Sequence, residues 1–409
     1  MQRAWGRFTA RGGAEVERQI TRLLEAVADE GAKALEPHAC TAVVLIGGYG
    51  RGEGGVDRSD GHERPHNNLD LLVITGDAGA SALQQAKQAL QEAVAPISRE
   101  HNIDIDTSAV AASSLRSSPS LVIWYDMRFG HKTIMGDESF VPSLTHFDLP
   151  RIPPWDVRNL LVNRGTLLVI NKLLIERAGL EEPLRRLIVK HAMKAIIGYG
   201  DALLFFRGDY HWSYLEKQRR MRARSDVPPA FQELYDEAME FRFEPDYARY
   251  LNRDPAEWMD ELCAQLAPIH LECESARLGA EGLEWGTYST TAIRHALFDD
   301  VGSPRAWAKK AVNVARNAAP SAPGSALTRL GCRAIGQRGL LPIIYPAVAY
   351  ESAPDGYRAF AAAALAAASD SPVDLRIAYL NAWGQSGDSN FDQFLQRWNI
   401  SLETGEGAA

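Results

Sequence analysis

The feature that most constrains this chain is a glycine-rich run, Gly47-Gly48-Tyr49-Gly50-Arg51-Gly52-Glu53-Gly54-Gly55, entered directly from the apolar segment Ala42-Val43-Val44-Leu45-Ile46. That segment has the length and β-branched content of a buried strand, so the glycines fall at a strand's end. Glycine lets a backbone approach a ligand closely and aim successive N–H groups at an anion, and Arg51 adds a permanent charge with a forked donor. Taken alone, the run describes a tight structural turn as readily as a phosphate cradle. The segment Asn67-Asn68-Leu69-Asp70-Leu71-Leu72-Val73-Ile74 shifts that balance, because it sets Asp70 between apolar neighbours on a second strand.

Ahead of the first strand, Val16, Ile20, Leu23, Leu24, Val27 and Ala28 recur at spacings of three and four, which predicts one amphipathic helix over 14–35. The polar stretch 56–66 reads as a surface loop near the site. A helix over 78–95 and a strand over 102–110 follow. On that third strand Asp104 and Asp106 are two residues apart and share a face, with Ile103 and Ile105 on the other. Residues 121–127 and 131–135 read as a hairpin turning at Phe129-Gly130.

Beyond the proline-rich linker 142–154, nearly every periodic segment is helical. Helices are expected at 155–178, 182–207, 228–235 onward, 255–278, 290–298, 303–318, 356–368 and 391–398, with a flexible link over 318–325. The expected fold is therefore an α/β (α+β) domain with a short mixed sheet over 1–150, then a mainly α-helical domain over 151–300. A helical C-terminal region over 301–409 completes the expectation, and no internal repeat is evident.

The formal charge of −8 over 409 residues argues against a protein that coats nucleic acid and fits a small charged partner better. Cys40, Cys263, Cys273 and Cys332 are scattered, without a Cys-x-x-Cys pair, and read as free thiols of a reducing compartment. Residues 1–13 lack an apolar core of signal-peptide length, and no segment approaches about 18 uninterrupted apolar residues. A cytoplasmic location with no membrane partner is the expectation.

Asp70, Asp104 and Asp106, on two strands beside a phosphate-cradling loop, have the chemistry of a two-metal phosphoryl-transfer site. There, oxygen ligands hold two divalent ions that stabilise the attacking and leaving oxygens. Asp is depleted in strands, so three flanked by Leu and Ile ask for a reason.

The order of helix, strand, Gly-Gly turn, strand with an x-Asp pair and a third acidic strand resembles the DNA polymerase β-like nucleotidyltransferase superfamily. The run from Gly47 to Glu53 is similar to its adenylyltransferase and uridylyltransferase branch, and Gly130-His131-Lys132-Thr133-Ile134-Met135-Gly136-Asp137 to the small-molecule, aminoglycoside-type branch. The resemblance covers roughly residues 15–220. It implies that Gly47 and Gly48 hold a triphosphate, that Asp70 is the second member of the metal-binding pair, and that Asp104 or Asp106 is the third carboxylate and base. It also implies Mg²⁺ and ATP, or another nucleoside triphosphate, and an acceptor hydroxyl on a small molecule or protein.

The departure is Asn68, a neutral amide where the family has its first carboxylate. An amide offers a cation one carbonyl oxygen and no charge. Glu53 is the nearest substitute within the motif, with Asp57 and Asp60 as further candidates. A second expectation therefore stands beside turnover, a nucleotide-binding regulatory module of the same fold; a toxin-neutralising partner is a third.

In the helical region Lys190, Lys194 and Asp201 fall within about 40° of one another on an ideal helix. They make either a solvated stripe or a lysine pair reaching nucleotide phosphates. Asp209-Tyr210-His211-Trp212-Ser213-Tyr214 offers aromatic surface for a base, or buried aromatics at a helix-joining turn. Arg158, Asn163 and Arg164 read as interdomain or phosphate contacts, and His191, His270 and His295 as core histidines rather than catalysts.

Overall fold

In the computed structural model the structure describes residues 5–77, 79–177, 179–298, 304–316, 325–385, 391, 394–396, 398 and 400–402. The chain divides into two compact units. One comprises Met1–Asp156 with Asp209–Asp246, the other Val157–Gly208 with Tyr247–Ala409.

The first unit runs α1 (Ala14–Leu35), β1 (Cys40–Ile46), the single turn α2 (Gly47–Gly50), the short pair β2 (Val56–Asp57) and β3 (Arg64–Pro65), and β4 (Leu69–Thr75). It continues through α3 (Ala80–His101), β5 (Ile105–Ala111), α4 (Ala112–Ser117), α5 (Val122–Phe129), β6 (Lys132–Gly136) and α6 (Phe140–Ser143). Four strands form one mixed sheet in the order β5-β4-β1-β6. β1 is antiparallel to β4 and β6, whereas β4 and β5 are parallel, joined by the crossover helix α3.

Both faces of the sheet are covered. Val43, Leu45, Leu69, Leu71 and Val73 join a core with α1 and α3, while Ala42, Val44, Leu72 and Ile74 join another with Leu115, Met127, Phe140 and Phe147. A strand buried on both sides reads as a continuous apolar run, which is why β1 and β4 are so plain in the sequence. The 56–66 stretch is not all loop, since β2 and β3 pair within it.

The strand expected over 121–127 is instead helix α5. An apolar run of that length suits either state, and the competition is settled by partners. β6 takes the sheet edge beside β1, so 121–127 has no strand to pair with. As a helix, its first N–H, at Val122, donates to Asp156 Oδ2 at 2.8 Å, and Gly130 N–H closes its end on the Asp126 carbonyl at 2.8 Å.

The second unit is helical. It contains α7 (Pro154–Arg177) and α8 (Glu182–Phe206); α9 (Tyr214–Arg222) and α10 (Pro229–Phe243) then belong to the first unit. After them come α11 (Ala248–Leu251), α12 (Pro255–Leu278), α13 (Trp285–Phe298), α14 (Pro304–Arg316), α15 (Ala326–Ala349), α16 (Asp355–Leu365) and α17 (Pro372–Gln385). Gly336 (φ 68°, ψ 174°) breaks α15 with a conformation that disfavours any side chain. Inside the unit, the Tyr199 hydroxyl meets those of Tyr345, at 2.7 Å, and Tyr350, and His270 Nδ1 meets Tyr350 at 2.9 Å.

The link expected over 318–325 lies outside the described residues except for Ser325, as does part of the helix expected over 391–398. All four cysteines are free. Among the described residues no helix is long and apolar enough to cross a membrane.

Candidate functional site

Strand register builds the site. Ile46 pairs with Asp70, and Asp70 with Asp106, so the turn leaving β1 and the two carboxylates lie side by side at one end of the sheet. Asp70 shares its face of β4 with Leu72 and Ile74; the apolar core fills that face farther along and leaves this end to polar groups. Gly47 has φ +71°, and a Cβ there would collide with Asp70 Oδ2, so both backbone conformation and space require glycine.

Asn68 completes the cluster in an unexpected way. Its Nδ2 donates to Asp70 Oδ1 at 2.9 Å and to Asp106 Oδ2 at 2.6 Å. One neutral amide thus ties two carboxylates on adjacent strands. The NH₂ edge can donate to both carboxylates, whereas the carbonyl edge would set lone pairs against lone pairs. Asp104 stands outside this trio, exposed just before β5, with its carbonyl accepting Leu69 N–H at 2.9 Å.

Arg51 and Glu53 point into the protein. The Arg51 guanidinium pairs with Asp126 at 2.5 Å and lies 4.5 Å from the Tyr214 ring centroid, with its side chain only 7% exposed. Burial opposes its charge, but Tyr214 and Asp126 more than offset that and hold its pKa above the ordinary value. Glu53 accepts from Ser213 Oγ at 2.5 Å and Tyr214 N–H at 2.6 Å. Asp57 and Asp60 accept from Ser59 and His62 backbone N–H groups in local turns.

What the sequence reading missed is Arg242, near the end of α10. Its Nη2 lies 2.9 Å from where a Cβ on Gly48 would stand, its guanidinium stacks on Tyr214 at 3.8 Å, and its Nε is buried without a hydrogen-bond partner. Lys217 Nζ is 4.4 Å from the same ring, so three cations surround Tyr214 beside the glycine run. A phenol flanked by arginines is a weak signal in sequence, since Arg242 is nearly two hundred residues from Gly48. The aromatic run 209–214 carries the only hint: Tyr210 donates to Asp126 at 3.0 Å, and Tyr214 anchors the cations.

Lys190 and Lys194 lie on α8 in the second unit, half-buried and exposed respectively. His191 Nδ1 meets Asn171 Oδ1 at 2.9 Å. Among the described residues no three His, Cys, Asp or Glu side chains converge on a metal position. The oxygen donors brought side by side are the carboxylates of Asp70 and Asp106, with the Asn68 amide between them. The sequence matches no family model and no curated protein.

Proposed function

We propose that the first unit is a polymerase β-like nucleotidyltransferase that moves a nucleoside monophosphate, AMP from ATP, onto a hydroxyl of a small molecule or protein. The observation that carries this is the convergence of Gly47, Gly48, Asp70 and Asp106 at one end of a mixed sheet. The bare backbone at Gly47-Gly48 lets phosphates approach, and Arg242 supplies a forked cation at their side. A single Mg²⁺ held by Asp70, Asp106 and the Asn68 carbonyl would, when bound, polarise the transferred phosphoryl group. Asp106, open to solvent, would accept the acceptor's proton on the carboxylate oxygen not turned to the ion, as the acceptor oxygen bonds to the α-phosphorus. The bond from that phosphorus to the β-phosphate oxygen breaks, and pyrophosphate leaves. Arg51 and Glu53 act indirectly, by holding Tyr214 against the loop. The setting is cytoplasmic, in keeping with four free thiols.

A second reading is favoured by the Asn68 bridge itself, which puts a neutral amide donor on both carboxylates where the family has a third carboxylate. In that reading the unit binds nucleotide as a regulatory module and does not turn it over. Pyrophosphate release from ATP over a broad panel of hydroxyl acceptors separates the two. Release that depends on Asp106 supports transfer; ATP binding with no release across the panel supports the module.

A further inference from the structure

The second unit carries a cavity that the proposed chemistry does not use. It holds about 580 Å³ and is lined from α7 by Arg158, Asn159 and Asn163, from α14 by Lys309, from α15 by Arg338 and from α17 by Trp383, with Val162, Ile335, Leu341 and Pro342 as its apolar wall. Three lining residues are cationic, and among the described residues no aspartate or glutamate lines the space. Arg158 also answers the buried Glu274 carboxylate, so the positive field at these half-enclosed walls is carried chiefly by Lys309 and Arg338, and such a field is relieved by an anion. The volume lies within the range of small-molecule sites.

The local structure favours a built site over incidental surface. Arg158 is 7% exposed and its Nη2 donates to Asn159 Oδ1 at 3.2 Å, which fixes one guanidinium at the wall. The break at Gly336 interrupts α15 two residues before Arg338, and Gly339 beyond it keeps the wall clear of a side chain. Trp383 is half-buried and stacked on Tyr379 at 6.0 Å, so its ring is held in place. Two planar forks and an ammonium suit phosphate oxygens, and an indole face suits a flat ring.

We propose that this cavity binds a small phosphate monoester whose body is a planar ring, the phosphate taken by Arg158, Lys309 and Arg338 and the ring by Trp383. A nucleoside monophosphate has that chemistry, as an effector distinct from the nucleotide of the first unit.

The test compares equilibrium binding of AMP, ribose 5-phosphate and citrate to the full chain, to the double variant Lys309→Ala/Arg338→Ala, to Trp383→Leu and to Arg242→Ala. Both changed cations are exposed, so the double variant should fold, and its far-UV spectrum and melting temperature check that. The expected result is AMP binding weakened about tenfold or more in the double variant, as the loss of charge-assisted contacts implies, and left intact in Arg242→Ala. Ribose 5-phosphate should bind more weakly than AMP in the full chain, and Trp383→Leu should erase that difference. The proposal is overturned if AMP does not bind, if a folded double variant binds it as the full chain does, or if citrate binds as tightly as AMP. Failure of the first-unit reading would appear instead as an unchanged ATP affinity in Arg242→Ala.

Discussion

Asn68 Nδ2 donates to Asp106 Oδ2 at 2.6 Å across the β4–β5 boundary, while the same nitrogen donates to Asp70 at 2.9 Å. A neutral amide therefore gives two neighbouring carboxylates a shared donor, without adding charge of its own.

Replacing that donor by a third carboxylate is the first prediction. Asn68→Asp sets like charges together and removes both hydrogen bonds, which should destabilise the first unit by about 1–3 kcal/mol in chelator. Millimolar Mg²⁺ should restore most of the loss, and melting curves with and without the ion read both effects. A variant as stable as the wild type in chelator and indifferent to Mg²⁺ would show that the three side chains do not share one site.

Gly47 is constrained twice, by its φ of +71° and by Asp70 Oδ2. Gly47→Ala should cost about 1–3 kcal/mol in urea unfolding and should weaken ATP binding through displacement of Asp70. Gly61, also at positive φ (+82°) but with open space around it, should show the conformational cost alone and normal ATP binding.

The two arginines beside Tyr214 should separate structure from binding. Asp126→Ala removes the carboxylate paired with the buried Arg51 guanidinium, at a cost of about 3–5 kcal/mol. Arg242→Ala breaks no carboxylate pair and should leave stability within about 1 kcal/mol, yet weaken ATP binding about tenfold. Denaturant midpoints and binding isotherms on both variants would contradict this assignment if the two profiles were exchanged.

Stability of the second unit should fall with acid. Burial, helped by Lys194 and Lys190, pushes His191 down to about 3, and burial pushes His270 down to about 4, so both rings are neutral in the folded chain. The unfolded chain takes up their protons near pH 6.5. Their contribution is thus fully present above that pH and is lost as pH falls toward the folded values, on the order of 3 kcal/mol per ring. His191→Gln, which keeps a partner for Asn171, should flatten the stability profile between pH 7 and about pH 4.5; an unchanged slope would mean the ring does not titrate as stated.

Much of the first unit was legible because it obeys local rules. β1 and β4 are apolar on both faces and the glycines sit where β1 ends, whereas the expected pairing of Asp104 with Asp106 on one strand does not hold, since β5 begins at Ile105 and only Asp106 lies on it. Residues 121–129 were illegible because only the capture of the sheet edge by β6 decides between strand and helix. Arg242 was illegible because its place depends on α9 and α10 returning to the first unit after α8. The role of Asn68 could be read as a missing carboxylate, but not as a bridge, since that depends on the register of Asp70 against Asp106. Arg51 and Glu53 were conspicuous in sequence for lying in the motif, and the structure gives their charges to Asp126 and to Ser213 and Tyr214.

The most direct test of the proposed nucleotide site is the Mg²⁺ dependence of ATP binding by the wild type and Asp70→Asn, measured by titration calorimetry on the full chain. Mg²⁺ is expected to tighten ATP binding to the wild type, and Asp70→Asn, still folded, to lose that enhancement. Equal affinity and equal Mg²⁺ dependence in the two proteins would contradict the proposed site.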